Sequence, residues 1–181
     1  MAGRACPIAI ITGPLNLVHE RERLSGYKLA MQGNGTMIRD SFVWASTFDG
    51  KEIESACQKR LIRAAKRPSA LFTTNGVVAL EALRSIYAFG LSTPEDIGFA
   101  TLDEIAAADL FRPAITTVVQ PTFDMGHRAV EVLLDRIARG DESAPSCLAP
   151  SLTPMFGPLP MLWSRVGCGR PDTFTSTSMR E

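Results

Sequence analysis

The sequence lacks the charge pattern, the apolar runs and the export signal that mark several classes of protein. Its 19 basic and 19 acidic residues cancel to a formal charge of zero, and they form no basic stripe. The chain itself therefore offers no electrostatic case for binding nucleic acid. The apolar runs are only a few residues long, and the first residues show no signal-peptide pattern. We expect a cytoplasmic protein that makes no use of a membrane.

Cysteine pairs and catalytic motifs are also missing. The four cysteines are scattered along the chain at Cys6, Cys57, Cys147 and Cys168. None forms a C-x-x-C pair, which favours reduced, structural thiols. The sequence has no Gly-x-Ser-x-Gly elbow, no phosphate loop and no H-E-x-x-H, and its two histidines follow no metal-ligand spacing. We expect neither an enzyme nor a cofactor or metal site.

What the chain does contain is an alternation of apolar strands and amphipathic helices. The predicted strands are 8–12, 37–48 (with VWASTF over 43–48), 70–74, 97–101 and 115–119. The predicted helices are 19–32, 49–66, 76–89, about 104–110 and 122–139. Alternation at this spacing is typical of an α/β fold with a parallel sheet flanked by helices.

The helix predicted over 19–32 has one apolar face and one charged side. Its apolar positions are Leu24, Tyr27, Ala30 and Met31. Glu20 lies off this face, so we expect it away from the core.

The helix predicted over 122–139 is strongly amphipathic. Its apolar stripe consists of Phe123, Gly126, Val130, Leu133 and Ile137. Prolines and a Ser/Thr-rich end follow, so we expect an irregular tail over 141–181, with 165–181 disordered.

Polar side chains lie near the ends of several predicted strands. They are Arg23 in the helix after strand 8–12, Asn75 after 70–74, Asp103 after 97–101, and Thr116 or Gln120 near 115–119. Ligands of open parallel sheets bind outside the carboxyl ends of the strands. Amide, carboxylate and guanidinium groups can together hydrogen-bond a sugar or a nucleobase. Each residue also has a structural interpretation: Asn75 and Asp103 as helix caps, and Arg23 as a solvated surface charge.

Three segments carry a resemblance to a known family. They read IAIITGPLNLVHERERLSGY (8–27), RPSALFTTNGVVALEALRSIYAFGLSTPEDIGFATLD (67–103) and PAITTVVQPTFDMGHRAVEVLLDRIAR (113–139). In this order they resemble the effector-binding core of LacI/GalR-type bacterial transcription regulators, the lac and purine repressor family. The resemblance covers roughly residues 7–140. It implies a shortened core, without the helix-turn-helix headpiece and the first half of the amino-terminal lobe.

The resemblance assigns roles to particular residues. The arginine before Leu-Ser-Gly-Tyr, Arg23, matches an effector-contacting arginine, and Asn75 and Asp103 match ligand-binding positions. The aromatic residue expected after the second strand is Trp44 or Phe48.

The resemblance also implies an organisation and a function. Residues 7–120 would form the carboxyl-terminal lobe of a two-lobed, periplasmic-binding-protein-like fold, and 121–140 a returning helix that belongs to the other lobe. The chain would sense a small-molecule effector (a sugar, a sugar phosphate or a purine). Because the sheet that helix 122–139 packs on in the relatives would be missing, we expect its apolar face to pair with a second chain in a homodimer or to leave a poorly behaved monomer. Operator DNA would be contacted only through the headpiece. The alternative is a fragment of a sugar solute-binding protein of a transporter.

Overall fold

The computed structural model describes residues 7–103, 105, 110–111, 114–139 and 153–155. The segment predicted as disordered, 165–181, lies outside these residues. Most of the short helix predicted near 104–110 also lies outside them.

The described residues contain one sheet of six strands in the order β2-β1-β3-β4-β5-β6. The strands are β1 Ile8–Thr12, β2 Val43–Ala45, β3 Ala70–Thr73, β4 Gly98–Leu102, β5 Thr116–Val119 and β6 Thr153–Met155. The first five strands are parallel, and β6 pairs antiparallel with β5. The predicted parallel α/β sheet is therefore confirmed. The strand order reverses between β1 and β3, which is where doubly wound sheets form a crevice.

Four α-helices connect or follow these strands in the described part of the chain. They are α1 Val18–Gly33, α2 Gly50–Cys57, α3 Gly76–Ala88 and α4 Thr122–Arg139. A wider turn, Gln58–Ile62, continues α2, so this helical segment ends before the predicted residue 66. Asp49 caps α2 by accepting from the amides of Lys51 and Glu52.

Alternate side chains of β1 enter two separate apolar clusters, one on each face of the sheet. Ala9 and Ile11 pack in the larger cluster, which includes inward residues of α2 and α3 such as Ile53 and Leu83. Ile10 belongs to the smaller cluster with α1, whose buried apolar members are Leu24, Tyr27 and Met31. This division follows from the two-residue repeat of a strand, and it presses α1 against β1.

Two predictions for α1 were wrong. Ala30 is exposed, because the buried stripe of the helix is narrower than the pattern suggested. Glu20 is completely buried, with no exposed surface. Hydrogen-bond donors at the ends of β1 and β3 surround its carboxylate, which accounts for a buried charge at the start of the helix.

The tail predicted as irregular contributes a strand. Thr153–Met155 pairs with β5, with Thr117 opposite Met155 and Val119 opposite Thr153. Without β6, one edge of β5 would leave its backbone groups unpaired. Proline 154 has no backbone N–H to donate, which is tolerated because β6 is the last strand of the sheet.

Helix α4 is amphipathic as predicted, but its apolar stripe faces solvent. None of its residues is buried. Val130 is 56% exposed, Leu133 57% and Ile137 67%. Half-buried Val132 lies on the opposite side of the helix. None of the helices described is long and apolar enough to cross a membrane.

Candidate functional site

The candidate site lies where β1 and β3 end side by side. Gly13 follows β1, and Thr74 and Asn75 follow β3, whose residues pair directly with those of β1. Helix α1 begins five residues beyond Gly13 and brings Glu20 and Arg23 to the same edge. This edge is the crevice position predicted by the reversal in strand order.

The carboxylate of Glu20 joins these elements. Oε2 accepts from the Gly13 amide at 2.8 Å and from Thr74 Oγ1 at 2.5 Å. Oε1 accepts from Arg23 Nη1 at 3.1 Å and from Asn75 Nδ2 at 3.4 Å. One side chain therefore ties the first turn of α1 to the ends of two neighbouring strands.

Glu20 is held in its ionised form. Burial raises the pKa of its carboxyl group, but hydrogen bonds from Thr74 and Gly13, with the charge of Arg23, outweigh burial and hold the pKa below its usual value. Carboxylates that accept several hydrogen bonds behave in this way. The site thus contains a fixed negative charge below its surface.

Arg23 extends the cluster towards β4 and β5. Its Nη2 lies 3.7 Å from Oδ2 of Asp103, and its side chain is 20% exposed. Asp103 follows β4; its other oxygen accepts from Gln120 Nε2, and its amide donates to the carbonyl of Val118. The polar groups at the ends of β1, β3, β4 and β5 form one connected network.

Asn75 has the capping role that its position suggested, and its side chain also reaches the cluster. Its Oδ1 accepts from the amide of Val78 at 2.9 Å and caps α3. Its Nδ2 faces Glu20. The cap fixes the rotamer of Asn75, so the amide group is already oriented towards the cluster.

Phe48 lies beside the cluster. A Cβ atom on Gly13 would come within 2.4 Å of Phe48 Cζ and 3.1 Å of Glu20 Cδ, so only glycine permits this close approach. Phe48 is 37% exposed. Phe48 and Asp103 both have φ of 70°, a conformation that costs energy for residues other than glycine and that is common at binding sites.

Trp44 is not part of this cluster. Trp44 is 2% exposed within the larger apolar cluster, and its Nε1 donates to the carbonyl of Ser41 at 2.7 Å. The guanidinium of Arg60 lies over the ring at 5.2 Å from its centre. Trp44 belongs to β2, whose alternation turns this side chain towards α2, so of the two predicted aromatic candidates only Phe48 lies at the site.

A shallow groove of about 640 Å³ lies next to the cluster, between α2 and α3. Phe48, Lys51 and Glu81 are among its lining residues, but Arg23 and Asp103 are not. Phe48 separates this groove from the polar network. We assign the candidate site to the network because its charged groups converge there.

The sequence analysis missed Glu20, Thr74 and Gly13. The sequence analysis placed Glu20 on the charged side of α1, although Glu20 precedes Leu24 by four residues and Tyr27 by seven, a spacing that puts it on the buried face. Two signals were available: Glu20 precedes Arg23 by three residues, a spacing that allows an ion pair, and it lies in the first turn of a helix that follows a strand end.

Comparison with known proteins assigns the fold to a family. The periplasmic binding protein-like domain matches residues 5–155. The chain belongs to this family. The resemblance to LacI/GalR-type effector-binding cores is confirmed by its relatives, since several of the curated proteins and solved structures that match are transcriptional repressors or regulators.

Two curated relatives show the extent of the similarity. The HTH-type transcriptional repressor PurR of Haemophilus influenzae is 35% identical over 150 residues, which cover 81% of this chain and 44% of the repressor. The ribose operon repressor of Escherichia coli is 35% identical over 132 residues, covering 73% of this chain and 40% of the repressor. The chain therefore spans less than half the length of these relatives.

Solved structures of transcriptional regulators also match this chain over about half of their own length. A complex of the transcriptional regulator CelR with cellobiose superposes with a TM-score of 0.74 at 31% identity, covering 84% of this chain and 46% of the regulator. A sugar-binding LacI-family regulator of Escherichia coli, complexed with phosphate, has a TM-score of 0.69 at 28% identity. The match covers 84% of this chain and 54% of the regulator.

Proposed function

We propose that this chain is the effector-sensing part of a LacI-type transcriptional regulator. The observation that carries the proposal is the network of Glu20, Arg23, Asn75 and Asp103 at the switch point of the sheet. Its amide, guanidinium and carboxylate groups suit a ligand with several hydroxyl groups or a nucleobase edge. Phe48 offers an aromatic surface beside them.

The proposed activity is binding, without catalysis. In a two-lobed sensor, an effector shifts the balance between two lobe arrangements only if it binds one of them more tightly. Residues 7–120 would supply one wall of the effector cleft, and 121–140 would reach the other lobe. The relatives are named as repressors, which favours a cytoplasmic regulator over the transporter alternative. Operator DNA would be bound only through a headpiece.

A ligand panel tests the proposal. We expect at least one neutral monosaccharide, disaccharide or purine to raise the Tm of the 181-residue chain in a concentration-dependent way, because a ligand that binds only the folded state stabilises it. The measurement is a thermal-shift screen at fixed protein concentration, with incubation products followed by mass spectrometry. A panel without any shift, or with turnover of a ligand, would contradict a pure binding function.

We further propose that the chain forms a homodimer through α4. Its solvent-facing stripe includes Phe123, Val130, Leu133, Leu134 and Ile137, each more than half exposed. Contiguous apolar surface of this kind marks an interaction site. We expect light scattering to give twice the mass of one chain, and Leu133→Glu with Ile137→Glu to give a single chain. A monomeric wild type would contradict the proposal. Dimers that persist in the double variant would place the interface elsewhere.

A further inference from the structure

Resting on the proposed function, we propose that this site selects uncharged polyhydroxyl ligands over their phosphorylated forms, and that Glu20 sets this selectivity. The reason is the balance of fixed charge around Arg23. Both a neutral sugar and its phosphate can donate and accept hydrogen bonds, so charge is the property that separates them.

Arg23 is shared between two carboxylates. Its Nη1 lies 3.1 Å from Glu20 Oε1, and its Nη2 lies 3.7 Å from Asp103 Oδ2. One positive and two negative groups leave the connected cluster with a formal charge of minus one. An anionic ligand placed beside Arg23 would meet a net repulsion, because the guanidinium charge is already more than balanced.

Glu20 cannot easily turn away to release Arg23. Its carboxylate has no exposed surface and is fixed by the Gly13 amide and the Thr74 hydroxyl on the oxygen that Arg23 does not use. Moving it would leave both of these donors without a partner in a buried position. The negative charge is therefore a permanent part of the site.

Two neighbouring side chains that can carry positive charge, Arg21 and His19, do not neutralise the negative charge of the cluster. Arg21 donates to the carbonyls of Leu15 at 3.0 Å and Asn16 at 2.9 Å. His19 Nε2 lies 3.6 Å from Glu20 Oε1, with its side chain 56% exposed. Arg23 makes the shorter contact with this oxygen, at 3.1 Å, so Glu20, Arg23 and Asp103 dominate the charge of the cluster.

The remaining hydrogen-bonding groups suit hydroxyl donors. The Asp103 carboxylate is 32% exposed and accepts hydrogen bonds only. A guanidinium has five N–H donors, so Arg23 retains donors for a hydroxyl oxygen although its charge is neutralised. A sugar hydroxyl can use both kinds of group, whereas a phosphate dianion offers no hydrogen to Asp103.

Calorimetric titration of matched pairs at pH 8 and constant ionic strength tests the inference. The pairs are D-ribose with D-ribose 5-phosphate and D-glucose with D-glucose 6-phosphate, and inorganic phosphate serves as the bare anion. For the pair that binds, we expect the neutral sugar to bind at least about tenfold more tightly. The selectivity ratio is the affinity for the neutral sugar divided by the affinity for its phosphate ester. Glu20→Gln should reduce this ratio about tenfold by improving the affinity for the phosphate ester. Glu22→Gln removes an exposed charge from the same helix and should leave the ratio unchanged.

The outcomes separate selectivity from function. Equal or tighter binding of a phosphate ester by the wild-type chain would overturn the selectivity and leave the proposed sensing function intact. Loss of both affinities in equal measure in Glu20→Gln would mean that Glu20 only positions Arg23, which also overturns it. If neither pair binds, the selectivity is overturned, and the thermal-shift panel with disaccharides and purines decides the sensing function separately. Should Glu20→Gln not fold, Asp103→Asn removes the same charge at a partly exposed position and should also lower the ratio.

Discussion

Glu20→Ala should lower the free energy of unfolding by about 3 kcal/mol, because it removes the common acceptor of a buried network. The amide of Gly13 and the hydroxyl of Thr74 would lose their partner, and Arg23 would keep only the longer contact with Asp103. Urea denaturation followed by circular dichroism at pH 7, at a fixed protein concentration, measures this loss.

Glu22→Ala is the matched control for this substitution. It removes the same side chain from an exposed position of α1, two residues along. Surface substitutions of this kind change stability by less than about 0.5 kcal/mol. If the free energy of unfolding fell equally in the two variants, Glu20 would stabilise the chain through its effect on the helix and not through the network.

The stabilising effect of Glu20 should also depend on pH with a definite sign. Its pKa in the folded chain lies below the ordinary value of 4.5. The ionised group therefore stabilises the fold above the unfolded pKa, and this contribution is lost as the pH falls through the folded pKa. The difference in stability between wild type and Glu20→Ala should accordingly narrow when the pH is lowered below about 4.5.

Much of the fold follows from local patterns in the sequence. Short β-branched runs such as 8–12 and 70–74 predict buried strands, and Gly90, with φ of 74°, ends α3 where a glycine stop was expected. Strand β6 was not predicted, because SCLAPSLTPMF (146–156) is only a weak strand pattern and Pro158 and Pro160 argue against a long strand. Thr153–Met155 pairs with the edge of β5, and the availability of that edge is a property of the folded sheet.

The site was predictable only in part, for a physical reason. Arg23, Asn75 and Asp103 stand next to strand ends, and parallel strands bring such positions to one edge. Glu20 could not be assigned in this way, because its burial depends on donors that lie 7 and 54 residues away along the chain. Helical periodicity places Glu20 on the same face as Leu24 and Tyr27, but it does not show that the strand ends supply hydrogen-bond donors for a charge there.

Trp44 is a residue that was predicted for the site but does not lie there. A shift of one residue along a strand moves a side chain to the other face. The resemblance located an aromatic residue after the second strand without fixing that register. The structure places Trp44 in the core and Phe48, four residues later, beside Gly13.

Arg23→Ala should weaken binding of the tightest neutral sugar in the panel about a hundredfold. Loss of a charged group that donates more than one hydrogen bond costs about 3 kcal/mol, and each 1.4 kcal/mol is a factor of ten. Arg23→Lys keeps the charge opposite Glu20 but not the planar fork, so it should retain stability while losing about tenfold in affinity. Arg21→Ala, two residues earlier on α1, should bind like the wild type.

Calorimetric titration of these three variants with that sugar is the most direct test of whether the polar network is the ligand site. We expect a strong loss for Arg23→Ala, an intermediate loss for Arg23→Lys and none for Arg21→Ala, with circular dichroism confirming that each variant is folded. Wild-type affinity in a folded Arg23→Ala chain would contradict the assignment and would direct attention to the neighbouring groove between α2 and α3.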